Sequence, residues 1–181
     1  MKIFFINPPF LGRFSRAQRS PGIIKSGTMY YPYWLAHAAA VVDEAGHEIN
    51  LIDCPAAGKT EEELHKAVQE LQPDLMVLES VTASWYSDLE VAANLKKLLP
   101  NSKICIAGTH VTAMWKESLE KEPAVDFVAI GEYDFTIQDI VDELEKESQD
   151  FSIIPGIAYR DGERAVRKRR HQGRAIHISP S

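Results

Sequence analysis

Short apolar runs of strand length alternate along the chain with longer stretches in which apolar residues recur every three or four positions. Residues 2–7 (KIFFIN) form the first run, and Pro8-Pro9 stops it, because proline supplies no backbone donor and sits at strand ends and edges. Residues 10–30 follow with Gly12, Pro21, Gly22 and Gly27 and no clear period. A connection this long is usually functional or mobile. Pro32 suits a first helical turn. Trp34, Leu35, Ala38, Val41, Val42 and Ala45 then share one helical stripe, and Gly46 falls just past the helix end. Residues 47–53 alternate as a second strand. Thr60 with Glu63 three positions on predicts a capping box for a helix running to Leu71.

The same alternation continues. Pro73-Asp74 leads into residues 75–78, a third strand. Ser87 or Asp88 caps a helix through Leu99, with Leu89, Ala92, Ala93, Leu95 and Leu98 on its apolar side. Residues 103–107 (KICIA) are a fourth strand, and Gly108-Thr109-His110 turns into a helix near residues 111–121. Residues 125–130 (VDFVAI) are a fifth strand. Gly131-Glu132 leads to a helix over about residues 135–147, with Asp134 as its cap and Thr136 in its first turn. Residues 156–160 and 163–167 read as strands joined by Asp161-Gly162, a strong hairpin signal.

Near-continuous apolar strands linked by helices imply a parallel sheet covered on both faces, and right-handed crossovers wind it doubly. The expected fold is α/β: a three-layer, doubly wound, flavodoxin-like or Rossmann-like five-stranded parallel sheet with a C-terminal β-hairpin. Residues 1–150 make the α/β domain, 151–168 the hairpin extension and 169–181 a basic tail or linker. Ligands of such sheets bind beyond the carboxyl ends of the strands, near the switch in strand order. The candidate site therefore comprises the loops at 7–30, 79–86, 108–111 and 131–136.

Composition narrows the chemistry. A length of 181 residues, 45% of them hydrophobic, suits one compact domain with a sizeable core. No run of 18 apolar residues occurs, which excludes a spanning helix, and MKIFFINPP is not a secretory leader. Two cysteines build no disulfide framework, which points to an intracellular, cytoplasmic protein with Cys54 and Cys105 as buried thiols. Nor can two thiolates hold a cubane iron–sulfur cluster.

The net charge of −6 is unevenly spread. Residues 1–42 carry five basic side chains and no acid, residues 43–159 eight basic and twenty-four acidic, and residues 160–181 seven basic and two acidic. An acidic body without an aromatic-interleaved basic stripe argues against a nucleic-acid partner. The run Arg167-Lys168-Arg169-Arg170 fits either a nucleic-acid or anionic-surface contact or, as is commoner at a chain end, a solvated tail or linker.

The usual motifs of this architecture are missing from its loops. No G-x-G-x-x-G follows the first strand, where two prolines remove the amides that a phosphate cradle uses. There is no G-x-x-x-x-G-K-[ST] and no G-x-S-x-G. A phosphoacceptor receiver would need acids after strand one, an aspartate after strand three and a lysine after strand five. The chain has Asn7-Pro8, Glu79-Ser80 and Gly131-Glu132 there. The six histidines form no H-x-x-x-H pair, so a dedicated zinc site is not expected.

The loops do offer small, neutral residues: Ser80, Thr82, Ala83 and Ser84, then Ala107, Gly108 and Thr109. These leave room for a bulky planar or rod-like ligand. Alternatively, Gly108 only permits a tight turn. His110 is either a ligand donor or a surface residue at a helix start. Glu132 is either functional or an acid favoured by a helix dipole. Arg13, Arg16 and Arg19 either contact an anionic substrate or a partner domain, or keep the first loop soluble.

Ile6-Asn7-Pro8-Pro9 resembles the start of the N-terminal cobalamin-binding-type domain of radical SAM proteins, a group that includes methyltransferases and anaerobic magnesium-protoporphyrin monomethyl ester cyclases. Tyr31-Pro32-Tyr33-Trp34-Leu35-Ala36, Glu44-Ala45-Gly46-His47-Glu48, Leu51-Ile52-Asp53, Pro73-Asp74-Leu75, Ala107-Gly108-Thr109-His110-Val111-Thr112, Val125-Asp126-Phe127, Gly131-Glu132 and residues 155–162 follow in the family's order. The resemblance spans roughly residues 2–168. It implies cobalamin as cofactor and a small-molecule substrate. It also implies a radical SAM barrel of the same parent chain as partner, which would carry the 4Fe-4S cluster and S-adenosylmethionine. No C-x-x-x-C-x-x-C motif is present, so the chain reads as an N-terminal piece whose parent's catalysis lies elsewhere.

The cofactor-binding positions it points to are Asn7, Pro8, Pro9, Ser80, Val81, Thr82, Gly108, Thr109, His110, Gly131, Glu132 and Thr136. None is assigned a catalytic or metal-ligating role. The mutase motif D-x-H-x-x-G is absent from the first loop, and Asp53-Cys54-Pro55-Ala56-Ala57-Gly58 copies its spacing with proline in place of the ligand. Three readings stay open: a cobalamin-binding domain, the same fold as a scaffold or substrate-selecting module without corrin, and a stand-alone flavodoxin-like binding module.

Overall fold

Apolar runs that alternate with helices fold here into one continuous sheet between two helical layers. The computed structural model describes residues 1–17, 22–23 and 29–168. In chain order the strands are β1 (Lys2–Asn7), β2 (Phe14–Ser15), β3 (Gly22–Ile23), β4 (Glu48–Asp53), β5 (Leu75–Glu79), β6 (Lys103–Ala107), β7 (Phe127–Ala129), β8 (Ile157–Asp161) and β9 (Arg164–Arg167). The helices are α1 (Tyr33–Glu44), α2 (Cys54–Ala57), α3 (Glu61–Leu71), α4 (Trp85–Leu98), α5 (Thr109–Ala113), α6 (Trp115–Lys121) and α7 (Asp134–Leu144).

The main sheet runs β4-β1-β5-β6-β7-β8-β9. Its first five members are parallel, and β8 and β9 close it antiparallel. In terms of the five predicted strands the order is 2-1-3-4-5, so the switch lies between β1 and β5. The hairpin is a continuation of the sheet, because β8 pairs directly with β7. Strand alternation separates two cores. Phe4, Ile6, Met76, Leu78, Ile104 and Ile106 face α3, α4 and α6. Ile3, Phe5, Leu75, Val77, Cys105 and Phe127 face α1 and α7.

Several local expectations shift. The predicted stripe of α1 buries Leu35, Ala38 and Val42 but also Ala39, while Ala45 and Trp34 are exposed, Trp34 by 45%. The predicted helix near residues 111–121 breaks at Met114 into α5 and α6. Ser84, not Ser87 or Asp88, stands at the start of α4, and Tyr133 takes the cap position of α7 in place of Asp134. The hairpin turns one residue later than its Asp-Gly signal: Asp161 pairs with Arg164, which leaves Gly162-Glu163 as the loop. Gly162 at φ 59° fills the first central position, where such turns need a positive φ. The capping box of Thr60 and Glu63 forms as the spacing predicts.

Cys54 and Cys105 are free, buried thiols in opposite cores. Burial pushes the Cys54 thiol up to about 12, so it stays protonated. Among the described residues no helix is long and apolar enough to cross a membrane.

Candidate functional site

Beyond the carboxyl ends of β5, β6 and β7 lies a cleft of about 520 Å³. Parallel strands end here together, and each is followed by a short turn into a helix. Backbone and small side chains therefore form much of the wall. Val81, Gly108, Thr109 and Gly131 supply it from the three loops. Thr112 stitches two of those loops: its hydroxyl donates to the Gly108 carbonyl at 2.8 Å and accepts from the Gly131 amide at 3.0 Å. Glu79, Tyr133 and Glu132 line the remainder, with Trp34 from α1 and Arg16 and Ala17 from the first loop.

Gly108 adopts φ +119°, and a β-carbon built on it falls 2.2 Å from the Ser80 carbonyl oxygen. Both strain and collision exclude a side chain. Gly108→Ala should lose on the order of 2 kcal/mol through backbone strain and displaced packing. A urea unfolding curve checks this; an unchanged midpoint contradicts it.

The first loop is pinned by one buried arginine. Arg16 is 3% exposed, and its Nη2 donates to Asp88 Oδ1 at 2.6 Å. Nη1 donates to Asn7 Oδ1 at 2.7 Å and to the Pro8 carbonyl at 2.8 Å, and Nε donates to Ser84 Oγ at 3.2 Å. Ser84 in turn donates to Asp88 Oδ2 at 2.7 Å. The Asn7 amide reaches Asp53, which also caps α2 through the Ala56 amide. Phe10 and Phe14 lie within 5.9 Å and 5.5 Å of the guanidinium carbon. Burial raises the Asp88 carboxyl, while Arg16 and the Ser84 hydroxyl draw it back. Arg16 is thus neither a solvated loop residue nor a free surface cation. Arg13 is exposed, and Arg19, Lys25 and the basic tail at 169–181 lie outside the described residues.

Glu79 ends β5 at the floor of the cleft, 4% exposed. Burial pushes its carboxyl up to about 7, against the pull of Arg16 and with the push of Asp53 and Asp88. Tyr133 faces it at 3% exposure, and burial and the Glu79 charge raise its phenol. Neither Glu79 Oε2 nor the Tyr133 hydroxyl completes a hydrogen bond among the described residues.

Of the sequence-derived positions, the cleft gathers Val81, Gly108, Thr109, Gly131 and Glu132. The others stand outside its lining. Asn7 and Pro8 hold Arg16, with Pro9 beside them. Ser80 is fully buried. Thr82 and His110 meet each other at 3.2 Å, and the His110 ring packs on Trp85 at 4.7 Å. Thr136 donates to the Pro155 carbonyl at 3.0 Å and ties α7 to the segment before β8. Arg16, Trp34, Glu79, Thr112 and Tyr133 are the additions. Arg16, Glu79 and Tyr133 lie in the loops that the sequence marked as the candidate site, and Thr112 in one of the family-like motifs; Trp34 lies in another of those motifs and on the apolar stripe.

The cleft fits one arm of a large cofactor better than a whole macrocycle, given that pockets of a few hundred Å³ enclose drug-sized groups. None of its lining among the described residues is a histidine. Small walls, an excluded side chain at Gly108 and two partnerless buried polar atoms match a slot for an arm with hydrogen-bonding atoms.

Comparison with known proteins agrees with this architecture. Residues 19–141 match the family model of the B12 binding domain. An anaerobic magnesium-protoporphyrin IX monomethyl ester cyclase of Cereibacter sphaeroides is 26% identical over 169 residues, which cover 92% of this chain and 26% of that protein. An uncharacterized methyltransferase of Pyrococcus horikoshii is 28% identical over 161 residues, covering 89% and 33%. The chain therefore spans about a quarter to a third of the length of these curated relatives. A solved structure of the cobalamin-dependent S-adenosylmethionine radical enzyme OxsB, with aqua-cobalamin and S-adenosylmethionine bound, superposes with a TM-score of 0.77. The identity is 16%, over 95% of this chain and 22% of that one, so the likeness is one of fold.

Proposed function

The chain belongs to the B12 binding domain family, and from that premise we propose that it binds cobalamin at the cleft above β5, β6 and β7. The observation that carries this reading is the cleft itself: small-walled, close to the strand-order switch, and kept open by a glycine that tolerates no side chain. Val81, Gly108, Thr109 and Gly131 would hold the nucleotide arm by shape. Thr109, exposed, lines the same cleft. Bound cobalamin supplies a cobalt centre that carries a methyl group or an electron at the corrin face.

This chain's residues bind and orient. The Arg16 cluster fixes the first loop beside the cleft, so that the loop forms a wall. Thr112 keeps the β6 and β7 loops at a set spacing. In the parent enzyme that the resemblance implies, a radical SAM barrel would carry the 4Fe-4S cluster and S-adenosylmethionine and act on a small-molecule substrate. The names of the relatives, an ester cyclase, a methyltransferase and a cobalamin-dependent S-adenosylmethionine radical enzyme, support a methyltransferase or an ester cyclase-like oxidoreductase. Purified chain mixed with hydroxocobalamin should co-elute from gel filtration as a pink one-to-one complex. Colourless protein at high micromolar cobalamin would overturn the reading and leave a scaffold or substrate-selecting module.

A further inference from the structure

At the amino ends of the strands, opposite the cleft, three segments far apart in sequence meet. Met1 stands before β1 and His47 in the turn between α1 and β4, while Asp142 and Glu145 lie in the last turn of α7 and just past it. The Met1 α-amino nitrogen is 3.4 Å from His47 Nδ1 and 3.2 Å from Glu145 Oε1, and Nδ1 and Oε1 are 3.7 Å apart. These three atoms form a triangle at one corner of the imidazole. Asp142 Oδ1 stands 4.0 Å from the other ring nitrogen, Nε2.

Both nitrogens are held in place by the main chain. The His47 amide donates to the Val42 carbonyl at 3.4 Å, and the Glu48 amide donates to the Met1 carbonyl at 3.1 Å. The imidazole is 8% exposed, while the carboxylates of Asp142 and Glu145 are about half-exposed and reachable from solvent. An ion bound tetrahedrally at about 2.0–2.1 Å from nitrogen and oxygen donors sets those donors about 3.3–3.4 Å apart. The three observed separations bracket that spacing. Two nitrogens and one carboxylate are a donor set that borderline divalent ions take. A carboxylate beside the far ring nitrogen is the usual companion of a ligating histidine, because it fixes the tautomer and turns the ring. Among the described residues no three histidine, cysteine or acidic side chains make a metal site by themselves. Here a main-chain amine supplies the third donor. The amine lies 46 positions from His47 and 144 from Glu145, so no local spacing announces the group.

We propose that the Met1 amine, His47 Nδ1 and the Glu145 carboxylate bind one divalent transition-metal ion of the zinc class. Asp142 accepts from Nε2–H and acts as a positioning residue for the ring. Both nitrogens bind metal only without a proton, so the ion displaces protons as it enters. Once bound, it ties the start of β1 and the α1–β4 turn to the end of α7. The site shares no residue with the cleft and is independent of the cobalamin reading.

Isothermal titration calorimetry of the metal-free chain, its Met1 amine free, with zinc chloride at pH 8 tests this. The expected result is one ion per chain and a thermal midpoint that rises with zinc. His47→Ala should abolish both effects. Glu145→Gln should weaken zinc at least about tenfold, and Asp142→Ala about tenfold, the cost of losing an outer-shell partner, with Asp142→Glu keeping most of the affinity. A Gly-Ser extension before Met1, which turns the amine into an amide, should abolish binding. Glu145→Gln and the extension disturb no buried packing, so they carry the test if His47→Ala folds poorly. Zinc binding that survives His47→Ala or the extension places the ion elsewhere and overturns the site. Absence of binding at high micromolar zinc overturns it too, and leaves the four groups as an ion-pair cluster. Unchanged affinity in Asp142→Ala overturns the positioning role.

Discussion

Arg16→Ala should cost about 3–5 kcal/mol of folding stability, the range for removing one partner of a buried ion pair. Both side chains of the Arg16–Asp88 pair are fully buried. The substitution strands a carboxylate in the interior and leaves Asn7, the Pro8 carbonyl and Ser84 each short of a donor. It also releases the first loop, since no other described side chain ties residues 13–17 to both β1 and α4. Urea unfolding at pH 7 measures the loss, and Asp88→Asn in the same background should recover part of it. The sign with pH is fixed too. Asp88 without its cation titrates at a raised value, and the stability given by its neutral form vanishes as pH climbs through that value. The deficit of Arg16→Ala should therefore be smaller at pH 5 than at pH 8. A loss below about 1 kcal/mol, as for a surface pair, would contradict the buried network.

Glu79→Gln works in the opposite direction. The folded carboxyl titrates at about 7, above its ordinary range near 4.5. A group raised in the folded state favours folding below the unfolded value and loses that contribution as pH rises through the folded one. Wild-type stability should accordingly decline between about pH 4.5 and pH 7 through this side chain. Glutamine keeps the shape and does not titrate. At pH 8 the variant should be more stable than wild type by up to roughly 3 kcal/mol, with the difference shrinking towards pH 5. Thermal or urea unfolding at matched pH values checks it. Parallel pH curves for the two proteins would show that Glu79 ionises freely. A stability gain from neutralising a cleft acid also marks this position as one kept for binding rather than for folding.

Much of this was visible in the linear pattern, and the part that was not has a common cause. Residues 2–7 and 103–107 read as strands because an unbroken apolar run, a proline or glycine stop and strand length are all local signals, and both bounds agree with the structure. Thr60 and Glu63 are three residues apart, so their cap was equally local. The parallel order places the loops after β5, β6 and β7 together, which is why Val81, Gly108 and Gly131 were found.

Arg16 and Asp88 are 72 positions apart. Nothing near either distinguishes a buried pair from a loop cation and a helix cap. Asp88 in the first turn of α4 looked like a cap because an acid there is favoured by the dipole whether or not it is buried. Trp34 sat on a plausible apolar stripe, and only the position of the cleft draws it outward. Glu79 ended an apolar strand, where burial cannot be inferred from one polar residue. Long-range pairing, not local propensity, decides all three.

The claim that cobalamin occupies this cleft is tested most directly by backbone amide NMR during a cobalamin titration. The amides expected to shift are those of Val81, Gly108, Thr109, Thr112, Gly131 and Tyr133, while Ala56 and Gly58 in the D-x-x-x-x-G look-alike should stay in place. Shifts centred on that look-alike, or on the outer faces of α3 and α6, or no shifts at saturating cobalamin, would contradict it.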